Sequence, residues 1–325
     1  MARSAILVLA TATALALAGC ATTPPQAEDD GTIHIVASTN VYGSIAEAIG
    51  GDLVTVTSLI DSAAQDPHSF EASVQDQLAI SKAALIIENG GGYDPFIDTL
   101  VEAAASSAPV INASEASGLL EDDHDHAHDE SDAESGEADD HAQEIDGDGH
   151  DHIEGFNEHV WYSFHGVEHI SEAIAAELTE LDPANAETYA ANLASFTGEL
   201  ATLESTAEAL DTEGLGVAIT EPVPLYLLEA AGLENVTPEA FSEAIEEGTD
   251  VAPATLRDTL AVFDSGAVAL LAYNAQTASS ETEQVRAAAE AAGVPVVEFT
   301  ETLPDGADYV SWMTSNLNAL SAALK

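Results

Sequence analysis

The sequence predicts an α/β fold of two lobes, each a mostly parallel sheet flanked by helices, joined by one long rigid α-helix. Three observations predict it. Short β-branched runs alternate with longer helical stretches from Thr32 onward, a helical pattern free of proline covers residues 184–210, and the alternation then resumes. A βαβ rhythm of this kind calls for parallel strands with crossover helices on both faces. The 325 residues, 46% of them hydrophobic, suit two domains with real cores.

Residues 1–19 are a targeting segment and stand outside the fold. Arg3 supplies the positive start, and the apolar run over residues 5–18 is too short to span a bilayer comfortably, so export and cleavage are expected. The run closes on Leu17-Ala18-Gly19-Cys20, which resembles a bacterial lipoprotein signal. That resemblance implies a lipidated Cys20, an extracytoplasmic protein anchored to the cell membrane, and a tether over residues 20–31. Cys20 is the only cysteine, so disulfides and thiolate metal ligands are excluded.

The first lobe is expected over residues 32–181. Residues 32–38 read as a strand, 41–49 as a helix stopped by Gly50-Gly51, and 53–60 as a second β-branched strand. A strand at 84–87 enters the turn Asn89-Gly90-Gly91-Gly92, followed by a helix at 96–105 and a strand at 109–111. Ligands of such sheets collect at the carboxyl ends of strands, which singles out His68 in Asp66-Pro67-His68, after the second strand.

Residues 121–152 form an insert of acids and histidines without Lys or Arg. It carries too little apolar surface to offset the entropy of ordering, so a disordered tether is expected. Its histidines, His124, His126, His128, His141, His150 and His152, make it a candidate for accessory metal capture. The insert runs into Asn157-Glu158-His159-Val160-Trp161, where the apolar neighbours anchor His159 as the insert histidines are not anchored. Next, His165-Gly166-Val167-Glu168-His169 matches the H-x-x-E-H arrangement of some zinc peptidases. It opens a helix that continues amphipathically through Ile170, Ile174 and Leu178, so exposed first-turn residues are the simpler account.

The linking helix is placed at residues 182–213, with Leu193, Phe196, Leu200 and Leu203 forming one buried stripe. At about 1.5 Å per residue, its helical stretch would reach about 40 Å. The second lobe, residues 214–325, is expected to hold strands at 215–220, 267–273 and 294–299 and helices at 225–231 and 281–292. Glu221 and Glu301 stand at corresponding strand ends. Two neutral imidazoles and two carboxylates would carry a charge of about −2, enough to neutralise one divalent ion in a partly dry cleft.

Taken together, Asp66-Pro67-His68-Ser69-Phe70-Glu71, Asn157-Glu158-His159-Val160-Trp161, Asp182-Pro183-Ala184-Asn185, Thr220-Glu221 with Tyr226, and Phe299-Thr300-Glu301 resemble the zinc/manganese solute-binding proteins of bacterial ABC transporters. The resemblance covers essentially the whole mature chain. It implies a metal held in the interlobe cleft by His68 and His159 from one lobe and Glu221 and Glu301 from the other, delivery to a membrane permease, a monomer, and no enzymatic activity. Zinc members usually have a third His where Glu221 stands, and a carboxylate there resembles the manganese members, with iron as a further alternative. The His-rich insert resembles the zinc members, so Zn²⁺ is the first expectation and Mn²⁺ the alternative. The family pattern has Pro where Glu158 stands, adding a charge beside His159.

Net charge −54, from five basic and fifty-nine acidic residues, excludes nucleic acid and anionic membrane surfaces as electrostatically steered partners. Such a surface attracts cations and suits a salty medium. Two competing classes remain: a zinc-dependent hydrolase on His165, Glu168 and His169, and a surface adhesin or metal buffer with no transporter partner.

Overall fold

The structure, a computed structural model, describes residues 31–65, 67, 70–122, 153, 155–210, 212 and 214–325. Strand β1 (Ile33–Thr39) buries its last five residues, as a β-branched strand covered on both faces must. It leads into α1 (Asn40–Gly50), stopped by Gly51, whose φ of 56° lets its N–H return to the Glu47 carbonyl. Then come β2 (Val54–Ile60), α2 (Val74–Ile80), β3 (Leu85–Glu88), α3 (Phe96–Ala104), β4 (Val110–Asn112) and two short helical turns, α4 (Ala113–Ala116) and α5 (Leu119–Asp122). Beyond the insert lie α6 (Phe164–Leu181) and α7 (Ala186–Glu208). The second half contains β5 (Gly216–Ile219), α8 (Leu225–Ala230), β6 (Glu234–Asn235), α9 (Glu239–Glu246), α10 (Pro253–Ala261), β7 (Val268–Asn274), α11 (Ser280–Ala292), β8 (Val296–Phe299) and α12 (Tyr309–Ala323).

Both sheets are four-stranded and wholly parallel, ordered β2-β1-β3-β4 and β6-β5-β7-β8. Within each half the second strand lies outside the first, so the order reverses between β1 and β3 and between β5 and β7. In open parallel sheets a ligand crevice opens at the carboxyl ends beside such a reversal. The strands end at Thr39, Glu88, Ile219, Asn274 and Phe299, which brings Asn89, Glu221, Asn274 and Glu301 to those ends.

The long helix starts later than its pattern suggested, because Pro183–Asn185 forms a 3-10 turn before it. The 23 residues of α7 bury Tyr189, Phe196, Leu200, Leu203 and Ala207 along one side and extend about 35 Å. Leu193, expected in that stripe, is only half-buried.

One hydrophobic cluster runs through both halves and includes Tyr42, Trp161, Phe196, Tyr309 and Trp312. Cross-links accompany it. Asn40 bonds the backbone of Leu303 in both directions, at 3.1 and 2.9 Å, and the Tyr309 hydroxyl donates to the Trp161 carbonyl at 2.8 Å. Residues Thr32–Lys325 accordingly make a single compact unit.

Candidate metal centre

His159 enters from the 3-10 turn Val160–Tyr162 and is fully buried. Its Nδ1 lies 2.7 Å from Asn157 Oδ1, an acceptor, so Nδ1 carries the proton and Nε2 is left as the basic nitrogen. Asn157 is itself fixed across the halves by donating to the Pro222 carbonyl at 3.1 Å, and the Tyr226 hydroxyl donates to the Asn157 carbonyl at 2.9 Å. Trp161 and Tyr93 stand edge-on to the imidazole, with ring centroids 5.1 and 5.9 Å away. Packing on two sides therefore fixes the ring before any ion arrives.

A second set of acids comes from the ends of the second sheet. Asn274, at the end of β7, donates through one amide nitrogen to Glu221 Oε2 and, at 2.8 Å, to Glu301 Oε1. Thr277 donates to the other oxygen of Glu221, and Tyr93 from the first half donates to Glu301 Oε2 at 2.9 Å. Gln276 accepts the Glu301 N–H at 2.5 Å and donates to the Gln65 carbonyl at 3.3 Å. That last bond ties the second sheet to the residue just before the loop of His68.

Two more carboxylates stand beside His159. Ligand atoms of Glu158, His159 and Glu246 lie within 4.8 Å of one another, the only such group of three among the described residues, and Glu246 Oε1 is 3.4 Å from His159 Nε2. Glu158 is positioned through its carbonyl, which accepts from Asn89 Nδ2 at 3.1 Å. The loop behind it needs glycine: Gly90, Gly91 and Gly92 have φ of 71°, 66° and 97°, and a Cβ on Gly91 would meet Ser114 Oγ at 2.9 Å. Asp94 closes this loop by accepting the N–H groups of Asn89 and Gly90 at 2.7 and 2.8 Å.

Burial makes this pocket electrostatically demanding. Burial first, and then the charges of Glu158, Glu221 and Glu301, hold the Glu246 carboxyl well above the usual carboxylate range. Burial and the neighbouring Glu301 raise the Tyr93 hydroxyl well above its ordinary value, so it stays a donor. The four described basic residues lie elsewhere: Arg257 and Arg286 pair with acids on the surface, and Lys82 and Lys325 are exposed. A cation placed among these oxygens offsets a charge that the protein itself leaves concentrated.

The structure sets Glu221 and Glu301 together on Asn274 and joins Glu301 to His159 through Tyr93, but the three make no group of ligand atoms within 4.8 Å of one another. His68 lies outside the described residues, as do Cys20, His124, His126, His128, His141, His150 and His152. His165 and His169 meet edge-on on α6 with ring centroids 4.4 Å apart, but with Glu168 they make no group of three ligand atoms. Glu246 and Asn274 were not anticipated. Asn274 had a signal in its place at the carboxyl end of a strand; Glu246 had none, since Glu239, Glu243 and Glu247 beside it are ordinary exposed acids.

A family model described as the periplasmic zinc-uptake complex component A, ZnuA, matches residues 35–323. The chain belongs to the ZnuA family. Membership sets it among uptake-complex components, apart from hydrolases. Among relatives of the ZnuA-type chain is the manganese-binding lipoprotein MntA of Halalkalibacterium halodurans, 27% identical over 228 residues, 69% of this chain and 66% of that protein. Another is the manganese ABC transporter substrate-binding lipoprotein ScaA of Streptococcus gordonii, 23% identical over 339 aligned positions spanning 100% of this chain and 99% of the other. The crystal structure of a ZnuA matches with a TM-score of 0.68 at 22% identity, covering 90% of this chain and all of that one, a likeness of fold.

Proposed function

We propose that the chain is the extracytoplasmic solute-binding component of a metal ABC importer, anchored through Cys20, which holds one divalent cation and passes it to a membrane permease. The observation that carries this reading is Asn274. One buried amide aligns two carboxylates, Glu221 and Glu301, and Tyr93 joins Glu301 to the ring of a fully buried imidazole whose Nε2 is the basic nitrogen. The ligand set is His159, Glu221 and Glu301, with His68 added from the loop that Gln65 ties to Gln276. His159 belongs to the first half and both acids to the second, so release requires the halves to part, a step suited to docking on a partner. The chemistry is capture and hand-over, with no bond made or broken in a substrate.

Manganese is the ion favoured by the carboxylates around His159 and by the likeness to the manganese lipoproteins MntA and ScaA. Zinc is the second reading, favoured by the family description and by the His-rich insert, which would gather the ion at high local concentration. Elemental analysis of protein purified without added chelator, followed by titration of the stripped form with each ion, tests both. One equivalent held tightly supports the function, and failure to hold either ion removes it.

A further inference from the structure

We infer that Glu246, with Glu158 beside it, is a direct ligand of the bound cation and the residue that biases the site toward a hard, high-coordination ion such as Mn²⁺ over Zn²⁺. The inference rests on the metal-binding reading above and names the group that sets its selectivity. The donor set proposed there uses the ends of β5 and β8 and the turn after the insert. Glu246 comes from a different place, the last residue of α9, with its side chain only 8% exposed while Glu239 and Glu243 on the same helix and Glu247 just after it face solvent. Helical geometry explains the split. Ser242 is buried on this short helix, and a residue four places on returns to its side, which carries Glu246 inward.

A carboxylate so placed raises the number of donors open to an ion at His159. Its Oε1 is 3.4 Å from the nitrogen of His159 that binds metal, and Glu158 offers an oxygen within 4.8 Å of both. An ion bound at His159 Nε2 therefore meets these two acids, and Glu221 and Glu301 lie near enough for their charges to act on Glu246. With one or two imidazoles and up to four carboxylates, any of which can bind through both oxygens, the shell reaches six donors, most of them oxygen. Zn²⁺ is satisfied by four ligands and prefers nitrogen or sulfur, so it gains little from the extra acids. Mn²⁺ prefers six oxygen-rich ligands and gains most.

The test is competitive titration of Mn²⁺ and Zn²⁺ against the full mature chain and its Glu246→Gln, Glu246→Ala and Glu158→Gln variants, with circular dichroism confirming that each folds. The expected result is that Glu246→Ala weakens Mn²⁺ binding by about tenfold or more while Zn²⁺ affinity moves by less than about threefold, with Glu246→Gln and Glu158→Gln shifting in the same direction. Unchanged Mn²⁺ to Zn²⁺ affinity ratios in chains that still bind both ions would overturn the role of Glu246 and leave the binding function standing. Loss of both ions from the unaltered chain would instead remove the functional reading and this inference with it.

Discussion

Replacing Asn274 by Ala tests the architecture of the site without touching a proposed ligand. Its amide donates to Glu221 and Glu301 at once, and both acids are essentially buried. A hydrogen bond to a charged group contributes about 1.5–3 kcal/mol, so losing two of them costs about 3 kcal/mol even at the low end of that range. The assay is urea denaturation of the metal-free protein at pH 7.5. With a slope of about 3 kcal/mol per M, the midpoint should fall by about 1 M. Repeating the experiment with saturating Mn²⁺ should shrink the deficit to less than half, because the cation then satisfies the oxygens that the amide no longer reaches. A metal-free midpoint equal to that of the unaltered chain would refute the reasoning, and so would a deficit that the ion leaves untouched.

Three further outcomes follow from the same geometry. Tyr93→Phe removes the hydroxyl that donates to Glu301 at 2.9 Å and should weaken metal affinity by about tenfold in calorimetric titration, while an unchanged affinity would show that the bond does not orient the carboxylate. Glu88 is raised from 4.5 to about 7, by burial first and then by Asp94 and Asp98. Its folded pKa lies above its unfolded value, so its contribution to stability is complete below about pH 4.5 and lost as pH rises through about 7. Glu88→Gln should therefore stabilise the protein at pH 8, by about 3 kcal/mol from the full shift and about 1–2 after solvent screening, and the gain should vanish by pH 4.5. Finally, a chain of net charge −54 should be more stable in molar NaCl than in dilute buffer, and a melting temperature indifferent to salt would contradict the account of its surface.

Much of the fold was legible because hydrophobic period and breakers agree along the chain. The β-branched runs of β1 and β2, the apolar run of β7 and the glycine stops after α1 and α11 declare themselves locally. The edge strand β6 did not, since two exposed residues carry no period. Helix α2 carries a weak sequence signal although Ser73 and Asp76 form a capping box at its start, because its exposed Val74 and Leu78 blur the apolar stripe. Helix α12 opens with a capping box from Asp308, and its buried Trp312, Met313 and Asn316 mix polarities along one side. At the site, His159, Glu221 and Glu301 were readable as residues at loop and strand ends. Glu246 was not, because its distinction is burial, which depends on how α9 meets the first half.

The central claim is that one buried centre holds the ion and that the histidine-rich insert only assists it. Competitive metal titration with elemental analysis tests it most directly, on the full mature chain, a form lacking residues 121–152, and a His159→Ala variant. The account predicts one tightly held divalent ion in the first two, with only weak extra sites lost on deletion, and no tight ion in the third. A tight site that disappears with the insert, or that survives in His159→Ala, would contradict it.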